Sequence, residues 1–93
     1  MFDFSGKNVL ITGASYGLGE HFAKGFAEAG ANLIITARGE EQLEKVAKSC
    51  ETTGCKVVAV SGDVSIEQDV NRVISEGIKE LGHVDVLIIN AGI

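Results

Sequence analysis

The chain has no proline and no tryptophan, a single tyrosine and only two cysteines in 93 residues. Without proline, the breaks between strands and helices must be made by glycine and short polar side chains. Two cysteines cannot build a disulfide framework, and Cys50 and Cys55 lack the second Cys or His pair that would complete a zinc site. Both thiols therefore read as packing groups, Cys50 in a core and Cys55 at a strand edge. Basic residues are scarce too. Eight Lys and Arg against 13 Asp and Glu leave a net charge of -5 and no basic stripe, which argues against general nucleic-acid binding. No apolar run approaches a membrane span, and the opening MFDFSGK lacks the basic and apolar regions of a secretory leader. A cytoplasmic location and no membrane partner are expected. Nor is there a repeat, a linker or a low-complexity tract, and the length suits one small domain at most.

What the chain does have is ordered alternation. Four continuous apolar runs, Asn8 to Thr12, Asn32 to Ala37, Lys56 to Ser61 and Val84 to Ile89, have the pattern of parallel strands covered on both faces. Three stripes of 3.6-residue period separate them. Leu18, Phe22, Phe26 and Ala29 form the first, ended by Gly30; Leu43, Val46, Ala47 and Cys50 form the second, ended by Gly54. The third is Ile66, Val70, Val73, Ile74, Ile78 and Leu81, closed by Gly82, with Ser65 and Gln68 spaced as a capping box at its start. Acid-first pairs four apart, such as Glu20 with Lys24 and Glu41 with Lys45, mark solvated helix faces. The order βαβαβαβ with right-handed crossovers predicts an α/β fold, a parallel sheet with helices on both faces.

Behind the first apolar run lies TGASYGLGE, Thr12 to Glu20. A strand that reverses into a helix within a few residues needs positive φ, and Gly13 is placed to make that turn. Gly17 and Gly19 open the helix, where missing side chains let phosphates reach free N–H groups and let the helix pack close to the sheet. Those donors and the helix dipole favour a diphosphate without any lysine. Glycines at such a turn also have purely structural uses. The apolar strand before them, the amphipathic helix after them, and a second strand ending where a ribose should lie favour nucleotide binding.

The spacing Gly-x3-Gly-x-Gly differs from the commoner Gly-x-Gly-x2-Gly fingerprint, and TGASYGLG resembles the TGxxxGxG signature of the short-chain dehydrogenase/reductase family. The resemblance runs the length of the chain, from Gly6-Lys7 to Asn90-Ala91-Gly92. It implies a Rossmann-type sheet in strand order 3-2-1-4, with residues 1–93 as the N-terminal, cofactor-binding part of a single NAD(P)-binding domain. It also implies a set of dinucleotide contacts. Gly13, Gly17, Leu18 and Gly19 belong to the phosphate turn, where Ser15 hydrogen-bonds the loop or a phosphate and Tyr16 covers the cofactor or the helix start. Asp63 accepts from the adenine amino group, the Val64 N–H meets a ring nitrogen, and the backbone of Asn90, Ala91 and Gly92 meets a ribose. Taken without the resemblance, Asp63 is as readily a turn former. Ile89 stands where the family's NNAG motif has its first Asn, and an aliphatic side chain could fill the same space.

The choice of nucleotide rests on Thr36-Ala37-Arg38. A carboxylate at the end of the second strand accepts from both ribose hydroxyls and repels a 2'-phosphate, whereas a small residue followed by arginine does the reverse. Ala37 stands where relatives that use NAD commonly carry Asp, and Arg38 matches the arginine of many that use NADP. NADP(H) is therefore expected, with NAD(H) open; the bland alternative for Arg38 is a solvated loop arginine. Tyr16 occupies a position where some NADP-preferring relatives have a second basic residue, and Glu40 and Glu41 add negative charge nearby, although both acids also suit the first turn of a helix.

The family's chemistry moves a hydride between a nicotinamide and a carbonyl or alcohol, using a tyrosine, a lysine four residues later and a serine that orients the substrate. The sole tyrosine, Tyr16, is followed at that distance by Glu20. No catalytic residue is assigned, the matching segments are expected after Ile93, and the 93 residues alone are expected to be inactive. In the order 3-2-1-4 the fourth strand is also a bare apolar edge, with one helix on one face against two on the other, as in a piece of a larger domain. His21 and His83 show no partner pattern for metal or nucleophilic work and read as surface residues, so no metal site is expected. For the complete protein the resemblance implies a small carbonyl or alcohol substrate and a homo-oligomer. A non-catalytic redox sensor on the same fold is an alternative. A methyltransferase of similar architecture is another, but it expects an acid where Ala37-Arg38 stands.

Overall fold

A computed structural model describes residues 3–90. Seven elements alternate along them: β1 (Asn8–Thr12), α1 (Gly17–Glu28), β2 (Asn32–Ala37), α2 (Glu40–Glu51), β3 (Val57–Ser61), α3 (Glu67–Leu81) and β4 (Val86–Ile88). The strands form one parallel sheet in the order β3-β2-β1-β4, as expected. Successive side chains of a strand point to opposite faces, which explains why the strands are apolar without interruption. Val9, Ile11, Leu33 and Ile35 pack with Ala23 and Ala27 of α1 and with Leu43, Val46, Ala47 and Cys50 of α2. On the other face Leu10, Ile34 and Val60 pack with Val73 of α3. Burial pushes the Cys50 thiol up to about 11, consistent with a packing role.

The helix faces differ from the expected stripes. In α1 the row against the sheet is Gly19, Ala23 and Ala27, whereas Leu18 is 59% exposed. Small side chains let the helix approach the strands, and the larger Phe22 and Phe26 flank the row; Phe26 meets Phe4 edge to face, with ring centroids 5.0 Å apart. In α3 the buried row is Val73 and Gly77, while Ile66, Ile74 and Ile78 are exposed. A Cβ at Gly77 would lie 2.9 Å from Ile34 Cγ1, so glycine sets the depth at which α3 sits on the sheet.

Boundaries shift as well. β3 starts at Val57, not Lys56, and β4 is confined to three residues at the sheet edge, with Val84 and Ile89 outside it. Ile89 is 73% exposed and fills no buried space. The expected capping box does not form: α3 begins at Glu67 behind an Ile66 N-cap with no side-chain cap hydrogen bond. Ser65 is drawn away by Asp63, whose Oδ1 accepts from the Ser65 N–H at 2.9 Å and from its Oγ at 2.7 Å. Among the described residues no helix is long and apolar enough to cross a membrane.

A polar ladder ties together the strands at the end of the sheet away from the glycine turn. Asp85 Oδ2 accepts from the Asn8 N–H at 2.9 Å, Asn8 Nδ2 donates to the carbonyls of Leu81 and His83, Asn32 Nδ2 donates to Asn8 Oδ1, and Asn32 Oδ1 accepts from the Lys56 N–H. His83 Nε2 lies 3.0 Å from the same Asp85 oxygen. The Asn8 hydrogen bond, helped by the charges of His83 and Lys7, holds the Asp85 carboxyl below its ordinary value of 3.8. With a lowered folded-state pKa, the unfolded chain takes up the proton first. This stabilisation is therefore present above about pH 4 and is lost as the pH falls through the lower folded value. The melting temperature of the parent should fall more steeply between about pH 5 and pH 3 than that of Asp85→Asn; equal slopes would remove Asp85 from the acid response.

Candidate functional site

The site lies at the carboxyl ends of the strands. β1 runs into Gly13, which adopts φ 62°, and Gly17 follows at φ 51°, both in the left-handed region that side chains other than glycine rarely occupy. Gly19 is closed for a different reason. A Cβ there would run into the Gly13 carbonyl oxygen and come within 2.8 Å of Asn90 Nδ2. The helix start is thereby seated directly on the turn. The first helical hydrogen bond joins the Glu20 N–H to the Tyr16 carbonyl at 3.2 Å, so the amides of Gly17, Leu18 and Gly19 precede the helical ladder. Three donors at the positive end of a 12-residue helix form a natural seat for an anion.

Asn90 braces this turn from the end of β4. Its Nδ2 donates to the Gly13 carbonyl at 3.2 Å, its N–H donates to Thr12 Oγ1 at 3.0 Å, and the Thr12 hydroxyl lies 3.4 Å from the Asn90 carbonyl. The Ala14 N–H bonds to the Thr36 carbonyl at 3.1 Å, fixing the turn to β2. Ser15 is buried, whereas Tyr16, the N-cap residue of α1, is 69% exposed.

Two further loops complete the walls. β2 ends at Ala37, and Arg38 follows, exposed and in no ion pair among the described residues. Glu40 and Glu41 lie in the first turn of α2, and Glu41 sits 3.9 Å from Lys45. Beyond β3, Asp63 folds over its own loop through Ser65. The Ser65 hydroxyl and N–H hold the Asp63 carboxyl below its ordinary value, with a smaller contribution from the Arg38 charge. Asp63 is an anion at neutral pH, and both Ser65 bonds fall on Oδ1, leaving Oδ2 for another donor.

Between these walls lies a cleft of about 780 Å³ lined by Gly13, Ser15, Tyr16, Gly17, Leu18, Ala37, Arg38, Gly39, Gly62, Asp63, Val64, Ser65 and Asn90. The structure thus gathers Gly13, Ser15, Tyr16, Gly17, Leu18, Arg38, Asp63, Val64 and Asn90 around one space, with Gly19 beneath the turn. Ala91 and Gly92 lie outside the described residues. Gly39, Gly62 and Ser65 also line the cleft, and each neighbours a residue to which the sequence motifs point. Among the described residues no group of three or more His, Cys, Asp or Glu could hold a metal ion.

The family model described as short chain dehydrogenase matches residues 7–93. This chain belongs to the short-chain dehydrogenase family. The family is one of oxidoreductases, and relatives of this chain are named as dehydrogenases. It is 44% identical to an 11-beta-hydroxysteroid dehydrogenase of Pinus massoniana, an alignment covering 98% of this chain and 26% of that protein. A glucose 1-dehydrogenase of Gluconobacter oxydans is also 44% identical, over 96% of this chain and 34% of its own length. The crystal structure of L-sorbose reductase from Gluconobacter frateurii, complexed with NADPH and L-sorbose, superposes with a TM-score of 0.94 at 35% identity, covering 99% of this chain and 35% of that one. This short-chain dehydrogenase chain therefore spans about a quarter to a third of the length of these relatives. The family binds nicotinamide dinucleotides, and the cleft lies at the carboxyl ends of the strands, where open α/β sheets receive such ligands.

Proposed function

We propose that residues 1–93 are the cofactor-binding part of a single NAD(P)-binding domain and that the cleft holds NADP(H) for a hydride-transferring oxidoreductase. The observation that carries this reading is the set of amides at Gly17, Leu18 and Gly19, with no backbone partner among the described residues, at the helix start that borders the cleft. Arg38, in no ion pair among those residues, stands on the wall of the same cleft. The pyrophosphate lies against those amides, with Gly13 and Gly17 giving it room and Ser15 and Tyr16 beside it. Arg38 holds the 2'-phosphate, and Ala37 leaves space where a carboxylate would repel it. Asp63 and the Val64 N–H meet the adenine, and backbone contacts to a ribose of the cofactor are assigned to Asn90, Ala91 and Gly92. The cleft residues fit the group: glycines where phosphates approach, one cation and one ionised carboxylate at separate loops.

The cofactor supplies or accepts the hydride; this chain's residues bind and orient it. Proton transfer needs an acid or base, and the chain's only tyrosine has Glu20, not lysine, four residues on. The 93 residues are therefore expected to bind cofactor without reducing a carbonyl. The complete protein acts on a small carbonyl or alcohol, as a homo-oligomer in the cytoplasm. The test is a titration of the purified protein with NADPH and NADH, followed by nicotinamide fluorescence. Saturable binding, tighter for NADPH, is the expected result. Binding of neither would overturn the proposal, tighter NADH binding would overturn the NADP(H) assignment, and turnover of a carbonyl would overturn the predicted inactivity.

A further inference from the structure

The loop that carries Asp63 is held from outside the cleft by two side chains that take no part in lining it. β3 is one of the two outer strands of the sheet. The Gly62 N–H bonds inward to the Ala37 carbonyl at 2.9 Å, so the Ser61 carbonyl of the same peptide plane points to the open side. There it accepts from the Arg72 guanidinium at 2.8 Å. Two residues on, the Asp63 N–H donates to Asp69 Oδ2 at 2.8 Å. Asp69 Oδ1 and Arg72 Nη2 are 3.6 Å apart, an i,i+3 pair on one turn of α3. Gly62 lies against this strut: a Cβ there would sit 3.3 Å from Arg72 Nη2 and 3.4 Å from Asp69 Cβ.

α3 thus grips both ends of a three-residue corner, the carbonyl of Ser61 and the amide of Asp63, while Ser65 fixes the carboxylate from the far side. A carboxylate so held has one orientation to offer a ligand. We propose that Asp69 and Arg72 are positioning residues for base recognition, fixing Asp63 so that the cleft selects adenine over a purine lacking the 6-amino group. The inference rests on the dinucleotide reading. Its chemistry is that adenine presents a donor to the carboxylate, whereas hypoxanthine presents an oxygen that the carboxylate repels. A loosened corner lets Asp63 swing away from that oxygen, and the penalty shrinks.

The experiment compares the affinities of NADPH and its hypoxanthine analogue for the purified protein and four variants. The parent should favour the adenine form by about tenfold or more, the scale of one lost charge-assisted hydrogen bond. Asp63→Ala should bring the ratio near one. Asp69→Ala and Arg72→Gln should each lower it about fivefold, and Asp69→Asn, which keeps an acceptor, should preserve it. A pair that merely secures α3 would lower the melting temperature and leave the ratio intact; because both affinities are read on folded molecules, lost stability does not imitate the effect. An unchanged ratio in Asp69→Ala and Arg72→Gln, with Asp63→Ala reduced, would overturn the strut and leave the dinucleotide reading standing. A parent indifferent to the base, or binding neither ligand, would overturn the role of Asp63 and this inference with it.

Discussion

Gly19→Ala should abolish nucleotide binding and destabilise the protein by about 3 kcal/mol or more, the upper end of the cost of overpacking. The added methyl would meet the Gly13 carbonyl oxygen, a backbone atom that has nowhere to retreat because Asn90 Nδ2 bonds to it at 3.2 Å. To relieve the contact, α1 must lift from the turn, dispersing the amides of Gly17, Leu18 and Gly19. Two other helical glycines calibrate the effect. A methyl added at Gly25, exposed in the middle of α1, would meet no atom within 4 Å, so Gly25→Ala should raise stability by about 0.5–1 kcal/mol through helix propensity alone. Gly77→Ala falls between: it gains the same propensity but forces the buried Ile34 side chain to repack, a net loss of about 1–2 kcal/mol. Thermal melts of the three variants check the order. Gly19→Ala melting with the parent and binding NADPH normally would show that the helix start is not seated on Gly13.

The same glycines mark where the sequence is legible and where it is not. The parallel sheet and its two-sided covering follow from uninterrupted apolar runs such as Leu33-Ile34-Ile35, because a parallel sheet buried on both faces favours them, whereas the strand order follows from the family resemblance and not from the runs. The faces of α1 and α3 depart from their apolar stripes because the stripe gives large apolar residues the sheet-facing role. Close approach of helix and sheet instead selects the smallest side chains, Gly19, Ala23, Ala27 and Gly77, and turns Leu18, Ile74 and Ile78 outward. A hydrophobic count gives glycine no weight, so this row has no signature in it. The ladder through Asn8, Asn32 and Asp85 is invisible for a related reason: polar residues at strand ends follow no period, and their partners are up to 77 residues away.

For the cleft, the glycine spacing marks the turn and the family resemblance implies most of the remaining lining; those residues all sit within a few positions of a strand's carboxyl end, and a parallel sheet brings all such ends to one side. What both miss acts from elements that do not line the cleft. Asp69 and Arg72 look like an ordinary surface pair on α3 until the Ser61 carbonyl and Asp63 amide are found beside them. The capping box fails through local competition, since a Ser65 hydroxyl two residues from Asp63 reaches that carboxylate more easily than it reaches into the helix. Asp63 is thus a turn former in the structure, and this use of Oδ1 is compatible with a ligand at Oδ2.

Arg38→Ala should weaken NADPH binding by about 10- to 100-fold, the equivalent of about 1.5–3 kcal/mol for a charge-assisted contact to phosphate, and leave NADH within about twofold. The guanidinium is free to act because no carboxylate among the described residues has claimed it: Glu41 leans toward Lys45, and Glu40 lies in the first turn of α2, where the helix dipole favours an acid. Its exposure argues for the lower end of that range and for a dependence on salt, since a contact open to solvent is screened. Raising the ionic strength should therefore erode the NADPH preference of the parent and do little to the variant. Arg38→Lys separates charge from shape: an ammonium keeps the attraction but loses the two-pronged donor geometry, so it should fall between parent and Arg38→Ala. Equal weakening of both coenzymes in Arg38→Ala would mean that the arginine supports the loop and does not read the 2'-phosphate. The amides of α1 would then bind either dinucleotide through the pyrophosphate they share.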